Sequence, residues 1–202
     1  MADTALLIVD VQNDFCPGGA LPVPEGDRVV PVLNRAIERF RQLGAPVIAS
    51  RDWHPEKSTH FAAYGGQWPV HCVQNTEGAA FHPDLRLPED AIIVSKGMGE
   101  DEDAYSVFDA RTEDGMPLED LLKAKGVKRL VVGGLATDYC VRASVLGALE
   151  RGFEVLVLKD AVRGVDVQPG DSERALAEMQ SKGAKLVALE EVSLQSLSGS
   201  NR

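Results

Sequence analysis

Several chemically capable side chains in this 202-residue chain follow directly on short apolar runs. Asp10 follows ALLIV (5–9), Arg51-Asp52-Trp53-His54 follows PVIAS (46–50), and Lys96 follows AIIVS (91–95). RLVVG (129–133) leads into Gly-Leu-Ala-Thr-Asp-Tyr-Cys, ending at Cys140, and Asp160 follows EVLVL (154–158). A cysteine with a carboxylate and an ammonium beside it suits nucleophilic catalysis. Asp10 takes the thiol proton, and Lys96 lowers the thiol pKa. Thr137 or Asp138 is placed to cap a helix running to about residue 151, which puts Cys140 in its first turn. There the helix dipole and free N–H groups favour a thiolate and hold an oxyanion. A free cysteine taken alone is most often a buried structural residue; Asp10 and Lys96 on the same edge favour the nucleophile for Cys140. Cys16 and Cys72 lack a strand-to-helix setting and are expected to be structural or pocket-lining.

A second constellation is Asp52, His54, His60 and His71, with three of the four histidines between positions 54 and 71. The Asp-x-His spacing puts both side chains on one face of an extended chain. Carboxylate and imidazole donors together suit a divalent ion such as Zn, Fe or Mn. Any one of these histidines alone reads as a solvated loop residue; the cluster reads as a metal site. His82, before Pro83, reads as surface or packing. Aromatic residues are only 5% of the chain. Phe15, Trp68 and Tyr105 fall near the reactive positions, where a flat uncharged ring fits between Phe15 and Trp68 beside the metal.

The elements that must position these groups alternate regularly. Strands are expected at 5–9, 46–50, 91–95, 129–133, 154–158 and 185–189, apolar on both faces as in strands buried from both sides. Helical periodicity occupies 28–43, 117–125, 138–151 and 171–182, and the stretches stop at Gly44, Gly126, Gly152 and Gly183. Helix, Gly and strand in repetition imply right-handed βαβ crossovers and a parallel sheet in an α/β fold. Ligands of such a sheet bind beyond the carboxyl ends of its strands, where the reactive groups fall. The segment 52–90 is too long for a plain connection and reads as functional. One domain is expected over 1–195, with a flexible tail over 196–202.

Hydrophobic residues make up 44% and charged residues 26%, which excludes a disordered chain. Lys plus Arg number 21 and Asp plus Glu 31, so the net charge is 21 − 31 = −10. That balance argues against nucleic acid and anionic membrane as partners. The N-terminus has no basic region before its apolar run, and no stretch approaches the roughly 18–20 apolar residues that span a bilayer. Three cysteines without a tight pair suit free thiols and a cytoplasmic setting.

Read together, the motifs resemble those of nicotinamidases, within the isochorismatase-like cysteine hydrolase superfamily. The matching stretches are ALLIVDVQNDFCPGGAL (5–21), RDWHP (51–55), WPVHCV (68–73), KG (96–97), DAYSVF (103–108) and GGLATDYCV (133–141). The resemblance implies a three-layer α/β/α fold around a six-stranded, mainly parallel sheet. It also implies hydrolysis of nicotinamide to nicotinate and ammonia in NAD salvage. By that likeness Asp10, Lys96 and Cys140 form the catalytic triad, and Asp52, His54 and His71 bind one divalent transition metal. It further implies a cis peptide at Leu135–Ala136, with the N–H groups of Ala136 and Cys140 forming an oxyanion hole. Phe15 and Trp68 sandwich the pyridine ring, and Tyr105 and Leu135 complete the substrate slot. One departure is His60 before Phe61, where many relatives carry Ser; His60 is a direct ligand, a holder of bound water, or a bystander. The expected partner is the small-molecule substrate, including pyrazinamide-like analogues, and a homo-oligomer is left open. The competing readings are a superfamily hydrolase acting on another small amide, and a ligand-binding relative without catalysis. A thiol redox role is disfavoured by the lack of Cys-x-x-Cys.

Overall fold

The computed structural model describes residues 3–193 and Leu197. Six strands, β1 (Thr4–Val9), β2 (Val47–Asp52), β3 (Ile92–Lys96), β4 (Arg129–Leu135), β5 (Glu154–Arg163) and β6 (Lys185–Val187), form one sheet in the order β3-β2-β1-β4-β5-β6. Every pairing is parallel. The helices are α1 (Val29–Gln42), α2 (Leu118–Ala124), α3 (Arg142–Glu150) and α4 (Asp171–Ser181). Gly44, Gly126, Gly152 and Gly183 all take positive φ just past the helix ends, as the stop signals require.

Side-chain alternation along the strands builds two cores. Leu6 and Ile8 of β1 face α1, which buries Val29, Val30, Leu33, Ala36, Ile37 and Phe40 along one stripe. Ala5, Leu7 and Val9 face the other way, towards Leu118 and Leu122 of α2, Val145 and Ala148 of α3, and Ala175 and Met179 of α4. The strand order reverses between β1 and β4, so the topological switch point lies where β1 ends at Asp10 and β4 runs into the Cys140 turn. Gly134 permits the close approach there: its φ is +124°, and a Cβ would strike the Val9 backbone of β1.

One strand boundary differs from expectation by more than two residues. The β4–β5 register slips between Val132, paired with Val157, and Gly134, paired with Val162. The irregularity carries β5 on to Arg163, so Asp160 lies inside the strand instead of beyond its end. Its carboxylate accepts the Leu189 N–H at 3.1 Å and has left the reactive edge. The tail expected over 196–202 lies outside the described residues apart from Leu197, which is buried. Among the described residues no helix is long and apolar enough to cross a membrane.

Candidate active site

Strand ends deliver the first group of residues. Asp52 and Lys96 are register partners at the ends of β2 and β3. Asp10 follows β1 in the left-handed region (φ 50°), with its N–H on Ser50 O at 3.2 Å. Its carboxylate accepts the Ser50 hydroxyl at 2.7 Å and Lys96 Nζ at 2.7 Å. Lys96 also donates to Asp52 Oδ1 and the Ala104 carbonyl, and its Nζ lies 3.7 Å from Cys140 Sγ. The thiol sits within 4.8 Å of carboxylate oxygens of Asp10 and Asp52 and donates to Ala104 O at 3.4 Å. All four side chains are buried.

Burial sets the resting protonation. It pushes the Asp10 carboxyl up to about 6 despite Lys96. Burial also opposes ionisation of Asp52, but Lys96, His54 and His71 outweigh it and hold Asp52 well below the usual carboxylate range. Lys96 is held protonated because the two carboxylates and Cys140 outweigh its desolvation. Cys140 departs from the expectation of a lowered thiol pKa. Burial, reinforced by Asp10 and Asp52, overrides Lys96 and pushes the thiol well up. These surroundings favour the neutral thiol over the thiolate.

The expected helix caps also differ. Cys140 lies in a single wide π-helical turn, Thr137–Val141, that runs into α3. Neither Thr137 nor Asp138 caps it; the Ala136 carbonyl closes the turn by accepting the N–H of Tyr139 at 3.1 Å and Val141 at 3.0 Å. The Asp138 carboxylate instead accepts the N–H groups of Val165 and Asp166. The Leu135–Ala136 peptide is cis, at the bond the resemblance singles out.

The segment between β2 and β3 delivers the second group. The His54 N–H bonds Cys72 O, and its carbonyl accepts Gln74 N–H, which draws His71 alongside. Phe61 bridges to Trp68 in the same way, which ties the Trp68 backbone to that of His60 and Ala62. His54, His60 and His71 offer ligand nitrogens within 4.8 Å of one another. Asp52 Oδ2 lies 3.6 Å from His54 Nε2 and 3.8 Å from His71 Nε2. Each ring is held at Nδ1: His54 by Gly97 O at 3.0 Å, His71 by Pro69 O at 2.7 Å, His60 by Asp103 Oδ1 at 3.3 Å. His54 Nε2 is buried with no hydrogen-bond partner. A buried orphan nitrogen costs free energy unless something pairs with it, and outer nitrogens fixed by oxygen acceptors are the usual support of metal-binding imidazoles. The donor set therefore fits a divalent cation.

Above Cys140 opens a cavity lined by Phe15, Trp68, Tyr105, Leu135, Ala136 and Cys140, and also by Asp52, His60 and His71. The Tyr105 hydroxyl accepts Trp68 Nε1–H at 3.0 Å and fixes the indole. Every residue proposed from the sequence as catalytic, oxyanion-holding, metal-binding or ring-binding is thus in or directly beneath one cavity.

Four contributors were not singled out from the sequence. Buried Gln12 donates to Asp52 O and Ala79 O and accepts Asp52 N–H, clamping the end of β2. Its place two residues after Asp10 was the available signal. Tyr139, next to Cys140, packs edge-on to Trp68 with ring centroids 5.0 Å apart and lines the cavity. Ala104 acts through its carbonyl, which residue type does not reveal. Gly97 takes φ +65°, and a Cβ would come 2.7 Å from His54 Cε1 and from Ala104 Cβ.

The isochorismatase domain model matches residues 4–191 of this chain. The nicotinamidase of Escherichia coli (strain K12) is 45% identical over 94% of this chain and 96% of that protein. A pyrazinamidase of Pyrococcus horikoshii, solved in complex with zinc, superimposes with a TM-score of 0.84 at 51% identity, covering 93% of this chain and 99% of that one. An L. infantum structure in complex with nicotinate also gives a TM-score of 0.84, at 32% identity over 94% of each chain.

Proposed function

The chain belongs to the isochorismatase family, and from that membership we propose that it is a metal-containing cysteine amidohydrolase converting nicotinamide to nicotinate and ammonia in NAD salvage. The observation that carries the reading is one cavity lined by Cys140, Phe15 and Trp68, with the buried Lys96 and Asp10 beside the Cys140 sulfur. Nucleophile, base and ammonium thus meet a cavity with aromatic walls suited to a flat ring.

The pyridine ring lies between Phe15 and Trp68, with Tyr105 and Leu135 completing the slot. Asp10 accepts the Cys140 proton as sulfur adds to the carboxamide carbon, and the Lys96 ammonium offsets the charge that leaves the thiol. The N–H groups of Ala136 and Cys140 hold the developing oxyanion. The C–N bond then breaks, and Asp10 returns its proton to the departing nitrogen, releasing ammonia. Water, deprotonated by Asp10, adds to the nicotinoyl thioester; the C–S bond breaks and the sulfur regains its proton. Asp52, His54 and His71, with His60 as a further donor, would hold a divalent Zn, Fe or Mn ion whose Lewis acidity supplies an anchor for the pyridine nitrogen. Pyrazinamide-like amides fit the same slot. Three free, buried cysteines, one of them the nucleophile, support a cytoplasmic setting.

The test is ammonia release from nicotinamide by the purified, metal-loaded protein, with nicotinate formed in equal amount. Turnover of a different amide with none of nicotinamide would overturn the substrate assignment. A folded, metal-loaded protein inert to all amides would overturn the enzyme reading in favour of ligand binding.

A further inference from the structure

The three imidazoles are supported from outside by acceptors of two kinds. His54 and His71 turn Nδ1 to main-chain carbonyls, those of Gly97 and Pro69. His60 turns Nδ1 to a side chain, Asp103 Oδ1, at 3.3 Å. No substitution can delete the first two acceptors, whereas one can delete the third.

The Asp103 side chain is 79% exposed while that of His60 is only 5% exposed. An ion pair so open to water contributes little to stability. The directional effect survives solvent: an acceptor at Nδ1 keeps the ring proton there and leaves the Nε2 lone pair to face inward. The surroundings are built for that orientation. The His60 ring stacks on His54 with centroids 5.0 Å apart and an interplanar angle of 24°. The turn that carries it is tied to the loop that carries Asp103: Thr59 N–H donates to Glu100 O at 2.8 Å, and its hydroxyl donates to the same oxygen at 3.1 Å. That loop is stitched in turn, since Glu102 Oε2 accepts the N–H groups of Met98 and Gly99, both at 3.1 Å. Residues 97–103 therefore support two imidazoles, His54 at one end and His60 at the other.

We propose that Asp103 is a positioning residue of the metal centre: acting through His60, it fixes that ring's tautomer and direction and so makes His60 a protein ligand of the ion. The inference rests on the metal reading of the previous subsection. Its test is metal affinity, measured on protein stripped by chelator and titrated with Zn²⁺ against a competing chelator, with the Co²⁺ visible spectrum as a second readout. Asp103→Ala is expected to weaken binding by roughly 10–100-fold and to alter the Co²⁺ bands. Asp103→Asn, which keeps an acceptor oxygen, is expected to recover most of the affinity. In a His60→Ala background Asp103→Ala should have no further effect, because the two act as one unit. Wild-type affinity in Asp103→Ala, or an equal loss with and without His60, would overturn the inference while leaving the metal centre standing. Wild-type protein that takes up no ion at all would overturn the metal reading and the inference with it.

Discussion

The two halves of the site are positioned by different means. Asp10, Asp52 and Lys96 sit at the ends of adjacent parallel strands, where ladder register alone brings them together. The imidazoles of His54, His60 and His71 and the Trp68 indole stand on the irregular chain between β2 and β3. They depend on individual hydrogen bonds to carbonyls and to Asp103 and Tyr105. The strand-borne half is a property of the sheet and hard to disturb without unfolding it. The loop-borne half is assembled contact by contact and can be loosened one contact at a time. Asp52 belongs to both, with one carboxylate oxygen on Lys96 and the other towards His54 and His71.

If the halves are separable, Cys140→Ala should abolish turnover, by roughly 10⁴-fold or more, while metal content and nicotinamide binding persist. Ammonia release and equilibrium binding on the same preparation check this; loss of metal in that variant would break the separation. The converse variant, His54→Ala, should lose metal affinity by more than roughly 100-fold and substrate affinity with it. Its far-ultraviolet circular dichroism and the alkylation of Cys140 by a small reagent should stay as in wild type. Gln12→Ala attacks the junction. It strips the side-chain partners from the Asp52 N–H and C=O and should cost about 2–4 kcal/mol in denaturant unfolding.

The smallest effect concerns the base alone. With its carboxyl pushed up to about 6, Asp10 loses its base form as pH falls, so kcat/KM should decline below about pH 6. The Ser50 hydroxyl bond favours the ionised form. Ser50→Ala should therefore move that acid limb to higher pH, with little change on the plateau. A limb that stays in place would remove Asp10 from the role of base.

The same division explains what could be read from the sequence. Apolar runs ending in Asp10, Asp52 and Lys96 are visible because burial on both faces writes itself into composition, and the helix stops are visible because positive φ selects Gly. The β5 irregularity was not visible, since Leu158, Lys159 and Asp160 read as a strand ending rather than one shifting register. The imidazole cluster could be suspected from residue types, but its supports could not. Gly97, Pro69 and Ala104 act through carbonyls that every residue possesses. The direction in which the Cys140 thiol shifts is hidden for a related reason: local sequence shows Lys96 and a helix start, whereas depth of burial and two neighbouring carboxylates emerge only once the sheet is assembled.

If Cys140 carries the acyl group, rapid-quench mass spectrometry during nicotinamide turnover will catch it there. A nicotinoyl adduct is expected on the peptide containing Cys140, present in the steady state and gone once substrate is exhausted. Steady turnover with no adduct on that peptide, together with activity surviving in Cys140→Ala, would contradict it.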